Sequence, residues 1–552
     1  MVRLYVATAL RCFGVLSILY PLVLAGPVQK AGLRVPDSAF QHRDDVKNIF
    51  IESYQAYRKF AFGHDDLEPV SKSFSDGRNG WGASIVDGMP TMQIMGLDDF
   101  FNEAVQFVGK IDFSESQTPD TVSLFETTIR YLGGLVSSYE LSGKQHQILI
   151  DKAKQLTDKM AFAWETPNQT IPWRFVDFDT NSPNLGTSNI AEAGTLDLEW
   201  NRLSLHTGND TYRRLAEGSV RTIAGLTDPL PGLAAQGIDP ATNAFVGNYI
   251  TWGGGSDSYF EYLIKYARLT NTDDNLFADE WHTAVDSSIK HLQSRSTVQN
   301  HLYLADRDDN GDIVHVSSHL ACFHGGNWIF GGKLLNNDTI VNIGLELVEA
   351  CWNTYASTAT GIGPEAFEWL AQDSFQPGDT RPNRQQTAFY LQHGFFITAS
   401  DYILRPEVLE SNFYAWRATG DTKYLDRAAS AVESFKKFLQ VQSSGGYSGI
   451  NDVNNVTVSR IDDTESFWFA EVLKYLYLTF DDPDHISLDK YVFNTEAQPF
   501  EAPPAKPVYG SGHPYPAQGS YVMKPSGAPL PKISPIPGVS ISFGTNDNSN
   551  SN

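Results

Sequence analysis

Apolar residues recur at helical spacing through most of the chain, as in Leu124, Ile129, Leu132 and Leu135 and again in Phe467, Ala470, Leu473, Leu476 and Tyr477. Steps of three and four residues gather such side chains on one helix face. Alternating, strand-like runs are few and short. Between the helical runs a turn chemistry repeats: Leu141-Ser142-Gly143, His206-Thr207-Gly208-Asn209, Leu269-Thr270-Asn271, Asn336-Asn337-Asp338 and Ala418-Thr419-Gly420-Asp421. Gly or Asn ends one helix and a polar residue caps the next. Successive steps from Gly143 to Gly208, Asn271 and Asn337 are 65, 63 and 66 residues, the size of one helical hairpin with its loops. Such hairpins cannot bury their apolar faces alone. They either stack into an open solenoid or close into an α/α toroid of inner and outer helices. The aromatic load of the first helix in each pair favours closure, because those helices would be buried on every side; the period by itself leaves both open.

Composition narrows what such a chain does. With 552 residues, 41% hydrophobic and 12% aromatic, it is a globular protein with a substantial core. Length alone suggests three or four domains of about 150 residues, a count that one large barrel overrides. Lys and Arg number 41 against 65 Asp and Glu, a net charge of −24. That surplus repels polyphosphate and excludes nucleic-acid binding through a basic face. Three cysteines are too few for a disulfide scaffold or a multi-cysteine zinc site.

Both ends of the chain read differently from its middle. Arg3 and Arg11 precede the apolar run Cys12 to Ala25, which ends Val23-Leu24-Ala25, the pattern of a secretory signal peptide over residues 1–25. A membrane anchor needs about 20 apolar residues, and Pro21 interrupts this shorter run. Cleavage would remove Cys12 and leave Cys322 and Cys351, a disulfide pair in an oxidising compartment. Asn-x-Ser/Thr sequons at Asn168, Asn209, Asn337 and Asn455 fit the same route, to a secreted, extracellular protein without a membrane anchor. Residues 501–552 hold ten of the 28 prolines, which favours extended, solvated chain. The expected layout is a leader at 1–25, a folded unit over 38–500 and a disordered tail.

Carboxylates stand near the start of the first helix in several hairpins. Glu126 lies 17 residues before Gly143, Glu192 lies 16 before Gly208, Asp257 lies 14 before Asn271 and Glu407 lies 13 before Gly420. In a toroid these four acids would share one rim and one cavity. Acids also favour any first turn as caps. Capping does not require the aromatics and glycines around them, as in Trp252-Gly253-Gly254-Gly255-Ser256-Asp257-Ser258-Tyr259 and Tyr402-Ile403-Leu404-Arg405-Pro406-Glu407. Carboxylates among aromatic rings suit a sugar, and two carboxyls suffice for glycosidic hydrolysis. Oxygen ligands without thiolates suit calcium better than zinc.

At these residues the sequence resembles the class I α-1,2-mannosidases, glycoside hydrolase family 47. The resemblance is carried by FETTIRYLGGLVSSYELSG (125–143), AEAGTLDLEW (191–200), DSYFEYLIK (257–265), HLACFHGG (319–326), TGIGPE (360–365), YILRPEVLES (402–411), ESFWFAEVLKYLYLTF (465–480) and FNTEAQP (493–499), in the family's order. It implies an all-α (α/α)7 barrel, one Ca2+ ion, and removal of terminal α-1,2-linked mannose from high-mannose N-glycans with inversion, by a monomer. Carried over by motif, Glu126 resembles the general acid, acting through a water, with Asp257 as its electrostatic partner and Glu407 as general base. Thr495 resembles the direct calcium ligand, and Glu192, Glu471 and Glu496 resemble the carboxylates that hold the waters around the ion. Arg130, His319, Arg405 and Phe467 match positions lining the terminal-sugar subsite, and Cys322 with Cys351 matches the cysteine pair of secreted fungal members.

The chain departs from the family at three places. Gln498 replaces the histidine of the NTEAH motif, and Pro90 stands in VDGMPTM where many members have VDALDTL. Two residues before Asp257, an arginine in endoplasmic-reticulum members is Gly255 here, which implies room for several glycan branches. The alternative function is a mannose-binding quality-control adaptor of the same fold, for which loss of an acid, the base or the calcium threonine is expected; all are present.

Overall fold

The computed structural model describes residues 25–164, 169–372, 375–513 and 515. The expected leader through residue 24, the sequon residue Asn168 and the tail from 516 onward lie outside the described residues. Within them helices alternate between two rings. Seven inner helices span Ala83–Ile94, 124–141, 190–207, Asp257–Thr270, Phe323–Leu334, Glu407–Thr419 and 468–480. Seven outer helices span Ala39–Phe60, Asp98–Val108, Gln147–Met160, Thr211–Ala224, Leu276–His291, Asp338–Ala356 and Lys423–Phe438. The last inner helix packs against both the first outer and the first inner helix, so the solenoid reading is excluded and the chain is a closed (α/α)7 barrel.

Residue chemistry sorts the two rings. Every residue of Asp257–Thr270 except its two ends is buried, and the same holds for Glu407–Thr419. Outer helices bury a stripe: in Lys423–Phe438 only Tyr424, Leu425, Ala428, Ala431, Val432, Phe435 and Phe438 are covered, the spacing of one helical face. Two inner helices meet closely where Gly134 faces Val86. A Cβ on Gly134 would stand 2.5 Å from the Val86 carbonyl oxygen. Pro90 continues the Ala83–Ile94 helix but offers no N–H to that carbonyl.

A short hairpin, Tyr491–Phe493 paired with Pro499–Glu501, enters the ring from the end where the inner helices finish. Its turn is held by inner helices on several sides. Asn494 Nδ2 donates to the Ile129 carbonyl and to Glu199, Lys474 Nζ donates to the Ala497 carbonyl at 2.6 Å, and Ser137 Oγ donates to the Pro499 carbonyl. Gln498, at the family's histidine position, donates through Nε2 to both the backbone and the side chain of Asp87 and accepts from Lys474. One amide thus supplies two donor contacts and an acceptor.

The described residues continue past the expected boundary at residue 500. Residues 503–513 follow the barrel wall, because buried groups there need their carbonyls and amides. Arg268 donates to the carbonyls of Asp489 and Pro503, Asn271 Nδ2 donates to Pro504, Tyr509 is buried and donates to Asn271, and Ser511 N donates to Asp279. At the other end, Ala25 N donates to the Pro507 carbonyl and Val28 N to Asp489. Cys322 and Cys351 are joined, tying the start of an inner helix to the outer helix Asp338–Ala356. Asn455 is exposed, whereas Asn209 and Asn337 are half-buried, and Asn337 caps the Asp338–Ala356 helix. No helix among the described residues is long and apolar enough to cross a membrane.

Candidate active site

Inner helices all begin at one end of the ring, and a cavity of about 410 Å³ opens there, a size suited to a small ligand. Glu126, Glu192, Asp257, Glu407, Glu471 and Glu496 line it with Arg130, Arg405, Phe467 and Thr495. Their first-turn positions do not make Glu126 and Glu192 caps. Ser123 Oγ accepts the Glu126 N–H and Asn189 Oδ1 the Glu192 N–H, which frees both carboxylates for the cavity. Two π-helical turns interrupt the inner ring among the described residues, at Thr127–Leu132 and Trp468–Val472. They carry Arg130 and Glu471, and such turns re-aim side chains at functional sites. Leu404, just before Arg405, holds φ at +68°, a costly conformation for a buried leucine.

Arg130 organises one wall. Its Nε donates to Glu126 Oε2 at 2.8 Å and its Nη1 to Ser466 Oγ at 3.0 Å; it also pairs with Glu496, and its guanidinium lies 5.5 Å above the Phe467 ring centre. On the facing wall Arg405 Nε donates to both carboxylate oxygens of Glu365, with Nη1 3.8 Å from Glu407. Glu192 takes two hydrogen bonds from Arg174, at 2.5 and 2.6 Å. His319, expected at the sugar subsite, is not among the residues that line the cavity. It is 1% exposed and lies behind Glu407, with Nδ1 2.7 Å from Glu407 Oε2 and Nε2 2.7 Å from the Tyr355 hydroxyl. Its contacts hold the Glu407 carboxylate in place.

The three acids expected to do the chemistry stand in different fields. Burial alone would raise the Glu126 carboxyl, but Arg78, Arg130 and Arg405 outweigh it and hold the group at about 2. Burial pushes Asp257 up to about 7, with Glu261 and Glu407 adding to it against the Ser258 amide. Glu407 is also desolvated, yet His319 and Arg405 keep it below the usual carboxylate range. Environments that separate acids in this way mark which one carries a proton near neutrality. Burial, together with Glu407 and Glu410, drives Glu471 far upward.

Thr495 lines the cavity at the hairpin's turn, its N–H donating to the Tyr262 hydroxyl. Among the described residues no hydrogen bond engages its hydroxyl or carbonyl, and no cluster of three His, Cys, Asp or Glu side chains is placed to hold a metal. The donors offered here are oxygen only.

Several lining residues were not singled out from the sequence. Glu261, Glu410 and Glu465 line the cavity, and Glu365 braces Arg405 behind it. All four lie inside quoted motifs, so the signal was present. Arg78 and Arg174 lie in none.

The sequence pattern of Glycosyl hydrolase family 47 matches residues 49–502. The chain is 40% identical over 485 residues to the mannosyl-oligosaccharide alpha-1,2-mannosidase 1B of Aspergillus phoenicis, covering 84% of this chain and 92% of that protein. It is 37% identical over 509 residues to the enzyme of the same name from Emericella nidulans, covering 87% and 98%. Among solved structures, the alpha-1,2-mannosidase from Trichoderma reesei superposes with a TM-score of 0.80 at 38% identity, covering 84% of this chain and 99% of that one. With the cavity, its acids and these matches across most of its length, the chain belongs to glycosyl hydrolase family 47.

Proposed function

We propose that this glycoside hydrolase removes terminal α-1,2-linked mannose from high-mannose N-glycans, with inversion and with calcium, as a secreted protein. The relatives' names supply the linkage and the sugar. The observation that carries the chemistry is the separation of three carboxyls in one cavity: Glu407 an anion steadied by His319, Asp257 protonated below about pH 7, and Glu126 an anion. Glu407 takes the proton of the attacking water. Asp257 supplies the proton to the departing oxygen. Glu126, expected as the donor, instead faces the developing positive charge at the anomeric carbon and accepts hydrogen bonds from water or sugar. This reassignment follows from the three guanidiniums, which favour the ionised form.

Thr495 fits a hard cation. Its hydroxyl and carbonyl are oxygen donors, and Glu261, Glu410, Glu471 and Glu496 crowd the same cavity, where burial and the neighbouring acids push Glu410, Glu471 and Glu496 upward. A bound calcium ion would relieve that crowding and order sugar hydroxyls and waters. Thr495→Ala is expected to abolish calcium binding measured by titration calorimetry and the calcium-dependent rise in unfolding temperature; either surviving intact would remove Thr495 as ligand. Gly255, at φ +88° with Gln236 beside it, leaves the cavity mouth open to several branches, so Man9 should be trimmed past a single Man8 isomer. The adaptor reading finds no support in a cavity that keeps all three acids.

Two substrates test the division of labour. On α-1,2-mannobiose, Asp257→Asn and Glu407→Gln should both lose about two orders of magnitude or more in kcat. On α-mannosyl fluoride, whose leaving group needs no proton, Asp257→Asn should recover and Glu407→Gln should not. If Glu126→Gln recovers on the fluoride and Asp257→Asn does not, Glu126 is the donor.

A further inference from the structure

Arg78 lies outside the quoted motifs, yet it stands in the cavity wall between two carboxylates. Its Nε is 3.8 Å from Glu126 Oε2 and its Nη2 is 3.7 Å from Glu465 Oε2. The backbone beneath it is fixed by one buried acid. Asp65 accepts the N–H groups of Arg78, Gly80, Gly82 and Ala83 and the Tyr131 hydroxyl, while that hydroxyl lies within reach of the Arg78 carbonyl. Such a frame spends a buried carboxylate on holding a loop that has no other evident task.

Arg78 and Arg130 address the same oxygen. Arg130 Nε also reaches Glu126 Oε2, and among the described residues no hydrogen bond engages Oε1. We propose that Arg78 is a positioning residue for hydrolysis: with Arg130 it clamps Oε2 of Glu126, so that Oε1 alone faces the sugar as an anion. The inference rests on the mannosidase reading for its consequence but not for its geometry. The charged groups around the pair are Arg405 across the cavity, Glu192 on the neighbouring inner helix, Glu465 at the start of the last one, and Asp66 and Asp463 behind Arg78. After burial, the charge of Arg78 is the largest single influence on Glu126, and Arg130 acts on it through both charge and a hydrogen bond. Both oxygens of Glu465 and the Arg78 Nε lack hydrogen-bond partners although buried. Gaps of this length between donor and acceptor suit bridging water, so the clamp acts through charge and through a fixed fork, not through direct contact alone.

The test has one readout without turnover and one with it. The Glu126 carboxyl is followed by carbon-13 NMR, its resonance assigned by its loss in Glu126→Gln. In Arg78→Gln and Arg78→Met its titration midpoint should rise by about one pH unit or more, and in Arg78→Lys it should stay near wild type. On α-1,2-mannobiose the two neutral variants should lose about tenfold or more in kcat with KM nearly unchanged. Arg78→Lys should recover most of that loss. An unmoved Glu126 titration in the neutral variants, or equal losses in Arg78→Lys and Arg78→Gln, would overturn the proposal. A wild-type protein inert on mannobiose would instead sink the mannosidase reading, while the titration still decides the clamp.

Discussion

At the scale of single residues, the cavity shows how one set of carboxyls is split by its neighbours. Asp257 and Glu407 each begin an inner helix and are similar in sequence context, yet burial dominates one and His319 with Arg405 the other. If they are donor and base, activity should rise with pH through a midpoint below 4.5, as Glu407 ionises, and fall through about 7, as Asp257 loses its proton. Asp257→Glu is the informative variant in a kcat profile: the alkaline limb should shift while the acid limb stays. Glu126 makes a separate prediction about stability. Its folded value is lowered from 4.5 to about 2, so its stabilisation is complete above pH 4.5 and is lost as pH falls from there to 2. The size is of order 3 kcal/mol. In urea unfolding, Glu126→Gln should therefore be less stable than wild type at pH 6, with the gap narrowing towards pH 3; a gap independent of pH would contradict the ionised assignment. Sequence reading found these three acids because they sit in motifs at a repeated distance from turns. It could not find their charge states, which depend on arginines 48, 4 and 279 residues from Glu126 in the chain.

At the scale of elements, the helical hairpins were legible and their irregularities were not. Period-3.6 spacing reads Leu124 to Leu135 as one helix, which it is, but the same spacing carries no sign of the π turns at Thr127–Leu132 and Trp468–Val472. One extra residue per turn changes where Arg130 and Glu471 point without disturbing the apolar stripe on either side. The placement of His319 was not legible for a related reason. A motif assigns a residue to a site, but whether the ring faces ligand or stands behind Glu407 is decided by Tyr355 on an outer helix. Glycines mark several close approaches between elements, among them Gly134 against Val86. Gly134→Ala should force the Ala83–Ile94 and 124–141 helices apart or tilt the Val86 carbonyl, and overpacking of this kind costs about 1–3 kcal/mol. The loss should show as a lower urea midpoint with an unchanged slope. A variant as stable as wild type would mean that the 2.5 Å approach relaxes freely.

At the scale of the whole molecule, closure of the ring is what places the inner-helix starts around one cavity, and the described segments flanking the barrel, 25–30 and 503–513, pack onto that ring. Composition suggested solvated chain from residue 501, since prolines withhold backbone donors. Prolines do leave carbonyls, and those are what the barrel uses: Arg268, 1% exposed, donates to Pro503, and Arg417, 0% exposed, gathers the Gln29 side chain with the carbonyls of Pro483, Ile486 and Leu478. Both arginines stand three residues before the Asn or Gly that ends their inner helices, so the repeat that reads as turn chemistry also carries anchors for the terminal segments. A chain ending at 502 would leave Arg268 short of an acceptor in a buried site and uncover the face against which Tyr509 packs. An unsatisfied buried charged donor costs about 1–3 kcal/mol or more, and exposing an aromatic side chain adds about 2 kcal/mol. A chain ending at 515 keeps every one of these contacts. The shorter protein should therefore unfold at a clearly lower temperature than the longer one, while both retain the cavity; equal unfolding temperatures would show that the proline-rich segment rests on the barrel without holding it.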